Sequence, residues 1–409
     1  MKEITMELLL KTMQRLWLKN VYLFLITPVL VLSGTFKEIT DFGDNPGNTK
    51  MFLYTPDNVV INPPILVAIH WCSGTANAIY TSNTFSPLAD QFGFLVIFPD
   101  ANTSDGCWEV HSQEALTHNG GSDPLSIISM VRYVIKNKKA DSTRVFVTGV
   151  SSGAMMTNVL LGSYPDIFKA GAAFAGVPFG CFGGPDAWNS NCSQGKISKT
   201  AEEWGDLVRA AYPTYSGPRP RMQLWHGTKD DVLYFNNFKE EIKQWTNVLS
   251  VSQTPTTTEN NTPAAKWIRT RYTNGVGITM VEAIEETDYA HNLQVKPDQA
   301  ISFFGLDKPV SVYNQPSFQN KVNKIKIMRK DNGILNFYIN SLTGPLRFEI
   351  FNTEGKKIIT ILKQNDLSET THFSWNGVTN QGNRCISGVY ILKIRINNAS
   401  LCSIPFTFY

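Results

Sequence analysis

The sequence predicts an α/β protein, with a mostly parallel sheet covered by helices on both faces, followed by a small all-β sandwich. Three observations predict it. Between Ile65 and about Gly305, short apolar runs alternate with helical stretches, the pattern of parallel strands joined by crossovers. Within that region, Gly149-Val150-Ser151-Ser152-Gly153 lies between an apolar run, Val145-Phe146-Val147-Thr148, and a helical run beginning at Ala154. After about Lys324 the alternation stops, and short strands with regular turns take over. At 409 residues the chain is long enough for two or three domains with a sizeable core.

At the N-terminus, residues 20–33 form a mostly apolar run, preceded by Lys11, Arg15 and Lys19 and closed by the small residues Ser33-Gly34. That is the shape of a secretory signal peptide over residues 1–34, with Met13 as an alternative start. The run is short for a spanning helix, and an uncleaved anchor is the competing reading. The expected location is outside the cell or on its surface. Residues 1–34 hold four basic and two acidic side chains, so the formal charge of +3 falls to about +1 without them. A nearly neutral chain argues against a nucleic-acid partner.

Residues 36–55 read as two short strands around the turn Gly43-Asp44-Asn45-Pro46-Gly47. Buried strands follow at 65–69 and 94–98, and between them Phe85 to about Phe92 suits a short helix, with Pro87 near its start and Gly93 past its end. The alternation continues with a helix at 123–136, a strand at 144–148, the helix after Gly153 and strands at 170–175 and 222–225. A helix at 236–247, a strand at 278–283 and a helix at 298–305 complete it. Residues 176–221 carry many Gly, Pro, Trp and polar residues and read as an excursion over one end of the sheet. The whole of 35–306 is therefore one α/β domain.

G-x-S-x-G between a strand and a helix is the setting of the nucleophile elbow of α/β-hydrolases, although the bare motif also occurs in ordinary strand–helix turns. The turn must be tight enough to lift one hydroxyl above the sheet. Gly149 and Gly153 lack a Cβ, so neighbouring chain can approach it. Ser151 occupies the nucleophile position. The amide of Ser152 opens the helix, where an N–H and the helix dipole stabilise a developing oxyanion.

A serine nucleophile needs a base, and the base needs an orienting acid; in α/β-hydrolases they follow the serine in the order acid, then His. The strand Met222-Gln223-Leu224-Trp225 leads into His226-Gly227-Thr228-Lys229-Asp230-Asp231, which makes Asp230 the favoured acid and Asp231 its competitor. His291 is the sole histidine between Asp230 and the C-terminal domain, and it is the expected base. His226 reads as a structural residue of its turn, while His70, His111 and His118 precede the elbow and His372 lies in the other domain. The second oxyanion donor belongs in the loop His70-Trp71-Cys72-Ser73-Gly74: the Cys72 amide is favoured, with Trp71 as the alternative and a plain turn as the bland reading. No metal-ligand spacing is present, and no cofactor is expected. Six cysteines in an exported chain point to three disulfides, paired by order and placement as Cys72–Cys107, Cys181–Cys192 and Cys385–Cys402.

Several motifs resemble one family. Gly121-Ser122-Asp123-Pro124-Leu125-Ser126-Ile127, the stretch from Val147 to Asn158, Ala175-Gly176-Val177-Pro178-Phe179-Gly180-Cys181, Leu224-Trp225-His226-Gly227-Thr228-Lys229-Asp230, Cys107-Trp108 and Trp245-Thr246-Asn247 all occur in order. Together they resemble the carbohydrate esterases that include acetylxylan and feruloyl esterases, relatives of the polyhydroxybutyrate depolymerase-like esterases. The resemblance covers about residues 36–306. It implies Ser151 as nucleophile, Asp230 as acid and His291 as base in a two-step acyl transfer, with an acylated plant polysaccharide as substrate. The chain departs from the family at Trp71, where Gly or Tyr is usual, and at Ala290, where a glycine often precedes the catalytic histidine. Trp71 would narrow the acyl pocket. Trp71, Trp108, Trp188 and Trp225 lie near loops at the catalytic end, and since aromatic faces suit sugar rings, Trp108 and Trp188 are the expected substrate contacts, with a core position as the competing reading for each.

Residues 307–324, polar and with two prolines, read as a linker, and 325–409 as the β-sandwich. From Phe348 to Ile394 this part resembles the C-terminal Ig-like sorting domains of secreted bacterial enzymes. The marks are the turn from Asn352 to Lys356, Trp375-Asn376-Gly377 and Ser387-Gly388-Val389-Tyr390, although the chain ends in Phe406-Thr407-Phe408-Tyr409 without the usual basic finish. The resemblance implies a secretion-machinery or cell-surface partner; a carbohydrate-binding module is the rival. The leading expectation is a secreted serine esterase that deacetylates xylan or a related polysaccharide. Feruloyl esterase and polyhydroxybutyrate depolymerase share its chemistry, and a carbohydrate-binding protein on an inactive hydrolase scaffold is the rival without it.

Overall fold

The structure, a computed structural model, describes residues 34–57, 59–292 and 295–307, together with the C-terminal strands between Ile325 and Phe408, residue 356 and residues 376–379 and 381–386. The expected signal peptide up to Ser33 and the expected linker over 308–324 lie outside the described residues.

The strands of the α/β part are β1 (Thr35–Ile39), β2 (Lys50–Thr55), β3 (Ile65–Ile69), β4 (Leu95–Asp100), β5 (Val145–Val150), β6 (Ala170–Phe174), β7 (Arg221–Gly227), β8 (Thr257–Asn260), β9 (Ile268–Thr273) and β10 (Thr279–Glu286). Its helices are α1 (Ala76–Ser82), α2 (Phe85–Phe92), α3 (Ser122–Lys138), α4 (Ser152–Ser163), α5 (Ser190–Ser193), α6 (Ala201–Ala211), α7 (Asn236–Val248) and α8 (Pro297–Phe304). One ten-stranded sheet runs β1-β2-β4-β3-β5-β6-β7-β10-β9-β8. Its centre, from β4 to β10, is parallel, and antiparallel strands extend both edges.

Strands β3 and β6 are apolar throughout because both of their faces are covered. In β3, Ile65, Val67 and Ile69 enter one core, with α3, α4, α6 and α7. Leu66 and Ala68 enter the other, with α1, α2 and α8. Each fully buried aliphatic side chain contributes about 1.5–3 kcal/mol, so these two layers dominate stability. Helix α4, which follows the elbow, is buried along its whole length.

Sequence patterning missed α1, α5, α6, β8 and β9. The last two are the outermost strands on one side of the sheet and are largely polar: Arg269 and Arg271 of β9 reach Glu259 of the edge strand β8 at 2.8 and 2.7 Å, and Arg271 reaches Glu282 of β10 at 2.6 Å. Charged cross-strand pairs hold them, and these leave no period-2 hydrophobic signal. Helix α6 lies inside the expected excursion and opens with a capping box, Thr200 with Glu203, which stabilises its first turn by about 1 kcal/mol.

The C-terminal strands form two antiparallel sheets. One holds β11 (Ile325–Arg329), β12 (Leu335–Ile339) and β15 (Thr371–Trp375), and the other β14 (Lys357–Gln364), β13 (Leu346–Asn352), β16 (Gly388–Ile396) and β17 (Ala399–Phe408). Trp375 of the first meets Tyr390 of the second with ring centroids 5.4 Å apart, and Phe348, Ile350 and Leu392 are buried with them. This is the expected small sandwich. Residues 353–355 of the expected Asn352–Lys356 turn lie outside the described residues.

Two of the three expected disulfides form, Cys72–Cys107 and Cys181–Cys192. The third pairing is corrected: Cys385 is a free, half-buried thiol. The strand register explains why. Cys402 in β17 pairs with Ile394, whereas Cys385 precedes Gly388 at the far end of β16. Six residues of strand separate Gly388 from Ile394, about 20 Å, against a Cα–Cα limit of about 7 Å for a disulfide.

Helix α7 carries a buried polar stripe that anchors the excursion. Asn237 Nδ2 donates to Cys192 O at 2.9 Å, Glu240 accepts from Trp204 Nε1 at 2.7 Å, and Gln244 Oε1 accepts from Phe179 N at 2.7 Å. Glu241 Oε1 accepts from Asn158 Nδ2 of α4 at 2.7 Å, and Asn158 Oδ1 accepts from Trp245 Nε1 at 2.7 Å. Burial pushes the Glu241 carboxyl from its ordinary 4.5 up to about 8, against a smaller downward pull from Asn158. The folded pKa lies above the unfolded one, so the stability this group contributes is fully present below about pH 4.5 and is lost as pH rises through about 8. Glu241→Gln keeps the acceptor for Asn158 and cannot ionise. Its thermal midpoint is therefore expected to fall less than that of the native chain between pH 5 and pH 8.5, as read by calorimetry at both pH values. Parallel pH curves for the two proteins would contradict this.

Candidate active site

The carboxyl ends of the central parallel strands all open at one edge of the sheet, where α/β proteins place their sites. Strand β5 ends there in the sharp turn at Ser151, whose φ of 55° and ψ of −117° lie outside the ordinary regions. Such a conformation costs about 1–3 kcal/mol and persists only where its surroundings enforce it. The surroundings are backbone. A Cβ on Gly149 would stand 2.2 Å from Gly153 O, and one on Gly153 would stand 2.3 Å from Ile69 O and 2.6 Å from His70 O. Ser151 N donates to Phe174 O at 2.9 Å, tying the turn to β6.

The structure brings Ser151, His291 and Asp230 together. His291 Nε2 lies 2.8 Å from Ser151 Oγ, and His291 Nδ1 lies 2.8 Å from Asp230 Oδ2. Asp230 is 5 % exposed, and its Oδ1 accepts from Val232 N at 3.0 Å and Leu233 N at 2.8 Å. Burial alone would raise its pKa, but hydrogen bonds from His226 and His291 outweigh burial and hold the carboxyl well below the usual range. An ionised carboxylate only accepts, so His291 Nδ1 carries the proton and Nε2 is left to accept from the Ser151 hydroxyl. His226 is buried, with Nε2 2.6 Å from Leu233 O and 3.2 Å from Asp230 Oδ2. It thus sits behind Asp230, a contact that sequence order did not reveal. Asp231 is exposed. The loop bearing His291 is drawn against the end of β7, where Lys229 N donates to Tyr289 O at 2.8 Å and Gly227 leaves no room for a Cβ beside Tyr289 O.

Above Ser151 opens a cavity of about 660 Å³. Trp71, Cys72, Ser151, Ser152, Trp188 and His291 line it, with Met155, Val232, Leu233 and Val295 among its apolar walls. Those four were missed, although Val232-Leu233 directly follows the Asp230-Asp231 pair. Among the described residues, the amides of Cys72 and Ser152, two residues that line the cavity, donate to no protein acceptor. Trp188 is 53 % exposed at the rim. The expectation of a substrate contact at Trp108 is corrected: it is 3 % exposed, and its indole N–H donates inward to His70 O at 2.9 Å. Trp225 is likewise core. Both indoles find partners inside, which sequence cannot foretell.

The crowding at the elbow has a direct consequence. Gly153→Ala would drive a methyl group into two backbone carbonyls, neither of which can rotate away. The variant is expected to lose soluble folded protein, or to retain fold with ester turnover reduced by at least about a hundredfold, as gel filtration and p-nitrophenyl acetate hydrolysis would report.

The family model described as Esterase PHB depolymerase matches residues 50–247. Acetylxylan esterase A of Aspergillus oryzae is 47 % identical over 279 residues, covering 67 % of this chain and 89 % of that protein. Acetylxylan esterase A of Emericella nidulans is 43 % identical over 278 residues, covering 67 % of this chain and 90 % of that protein. Among solved structures, the acetyl xylan esterase from Aspergillus awamori aligns with a TM-score of 0.64 at 43 % identity, covering 67 % of this chain and all of that one. With this identity and coverage, the chain belongs to the PHB depolymerase-type esterase family together with the acetylxylan esterases, and it is a carboxylic ester hydrolase.

Proposed function

We propose that this esterase is exported and removes acetyl groups from acetylated xylan, with Ser151 as nucleophile, His291 as general base and Asp230 as its orienting acid. The observation that carries the reading is the unbroken chain of two 2.8 Å contacts from Ser151 through His291 to Asp230, on the floor of an open cavity. His291 Nε2 takes the Ser151 proton as Oγ attacks the ester carbonyl. The tetrahedral oxygen receives the amides of Cys72 and Ser152, a pair of donors whose members are each worth about 3 kcal/mol in the transition state. His291 then returns the proton to the leaving sugar oxygen. Water repeats the sequence on the acyl-enzyme and releases acetate.

Similarity to the acetylxylan esterases supports acetylated xylan as the substrate. The apolar N-terminal run and two disulfides support export into an oxidising compartment. The C-terminal sandwich is assigned to secretion or surface attachment on its motifs alone. Trp71, on the cavity wall beside the Cys72 amide, suits a short acyl group, because a planar feruloyl group needs a longer slot. Trp188 at the rim offers an aromatic face to the sugar.

Ser151→Ala is expected to fold normally and to lose turnover by several orders of magnitude. Asp230→Asn should be severely impaired and Asp231→Asn close to native; the reverse ranking would move the acid to Asp231. Side by side, kcat/KM for an acetyl ester should exceed that for methyl ferulate, and acetate release from acetylated xylan should exceed ferulate release from feruloylated arabinoxylan. A preference for ferulate would overturn the acetyl assignment. Trp71→Gly should improve larger acyl groups; no gain would remove Trp71 from the acyl site.

A further inference from the structure

The two amides assigned to the oxyanion come from separate segments, the loop after β3 and the first turn of α4. One dipeptide in the loop after β4 touches both. Cys107 is disulfide-bonded to Cys72. The backbone N–H of Trp108 donates to Ser152 Oγ at 2.9 Å, and its indole Nε1–H donates to His70 O at 2.9 Å. The Trp108 ring also lies 4.9 Å from the His70 ring, and His70 Nε2 accepts from Ala101 N at 3.1 Å. Behind the dipeptide, Asp105 O accepts from Ser73 N at 2.7 Å and Asp105 Oδ1 accepts from Cys107 N at 3.1 Å. Trp108 is almost completely buried, so these bonds form away from competing water and are correspondingly costly to break.

We propose that Cys107-Trp108 is a positioning device that fixes the Cys72 and Ser152 amides relative to each other, so that both reach one oxygen in the transition state. The proposal rests on the reading of Ser151 as nucleophile and of those amides as its oxyanion donors. Trp108 touches no reacting atom. It acts through His70 and Ser152, on either side of the serine. The physical reason for such a brace is that oxyanion donors work only when preorganised within about 2.7–3.1 Å of the developing charge, and a small displacement forfeits much of their effect.

Three variants of the full chain separate positioning from mere stability. Trp108→Phe keeps an aromatic ring and removes the indole donor. Ser152→Ala keeps the Ser152 amide and removes the acceptor of Trp108 N. Cys107→Ala opens the disulfide. Active sites are counted by labelling to completion with a fluorophosphonate, so unfolded molecules drop out of the rate. For each variant, kcat per labelled site on p-nitrophenyl acetate is expected to fall by about tenfold or more with KM within about twofold, since one whole donor is worth about 10²–10³. The inhibition constant of a trifluoromethyl ketone, which forms a tetrahedral oxyanion on serine, should rise in step with the fall in kcat/KM. Wild-type kcat per labelled site in Trp108→Phe and Ser152→Ala would overturn the proposal, as would a loss confined to KM with inhibitor affinity unchanged. Turnover surviving in Ser151→Ala would instead remove the underlying reading.

Discussion

The structure depends on how closely the elbow approaches the end of β3. Gly153 rests against the carbonyls of Ile69 and His70 with no space for even a methyl group. That contact holds Ser151 in a backbone conformation it would not otherwise keep, and it brings the start of α4 beside the loop that carries Cys72. The strain is met by the burial of α4 along its full length and by the β5–β6 and β3–β5 pairings on either side. A motif of five residues is thus supported by the most deeply buried layer of the protein.

Parallel strands convert that local constraint into a site. Because β3, β5, β7 and β10 run the same way, the loops after them converge at one edge and deliver Cys72, Ser151, Asp230 and His291. Asp230 is the electrostatic hinge of this group. A buried carboxylate is unfavourable unless several donors face it. Here two backbone amides and two imidazoles do. The same bonds that stabilise its charge orient His291 toward Ser151, so folding and the proposed chemistry use one set of contacts.

The excursion between β6 and β7 shows a different solution. It contributes Trp188 to the cavity, and beside α5 and α6 it is irregular and hangs on side chains of α7. Asn237, Glu240, Glu241 and Gln244 recur at helical spacing, a pattern that normally marks a solvated face. In this fold they are buried and paired with backbone groups, an indole and the Asn158 amide that would otherwise be unsatisfied. The Cys181–Cys192 disulfide closes the same segment covalently.

By itself, the sequence determined the α/β architecture, the elbow and its serine, and the order of the partner residues. These are local quantities: apolar runs set by double burial, glycines demanded by close approach, and a chain order dictated by strand sequence. Two disulfides were legible because their cysteines sit at neighbouring strand ends or close in sequence. What remained depended on pairings between distant segments. The largely polar outer strands β8 and β9 are joined by arginine–glutamate pairs that no single strand displays. The register of β16 with β17 separated Cys385 from Cys402 by most of a strand. Trp108 turned inward because a carbonyl at His70 and a hydroxyl at Ser152 were waiting for its donors. An aromatic residue in a loop has the same composition whether it faces a sugar or a core, and only the tertiary structure supplies the partner that decides between them.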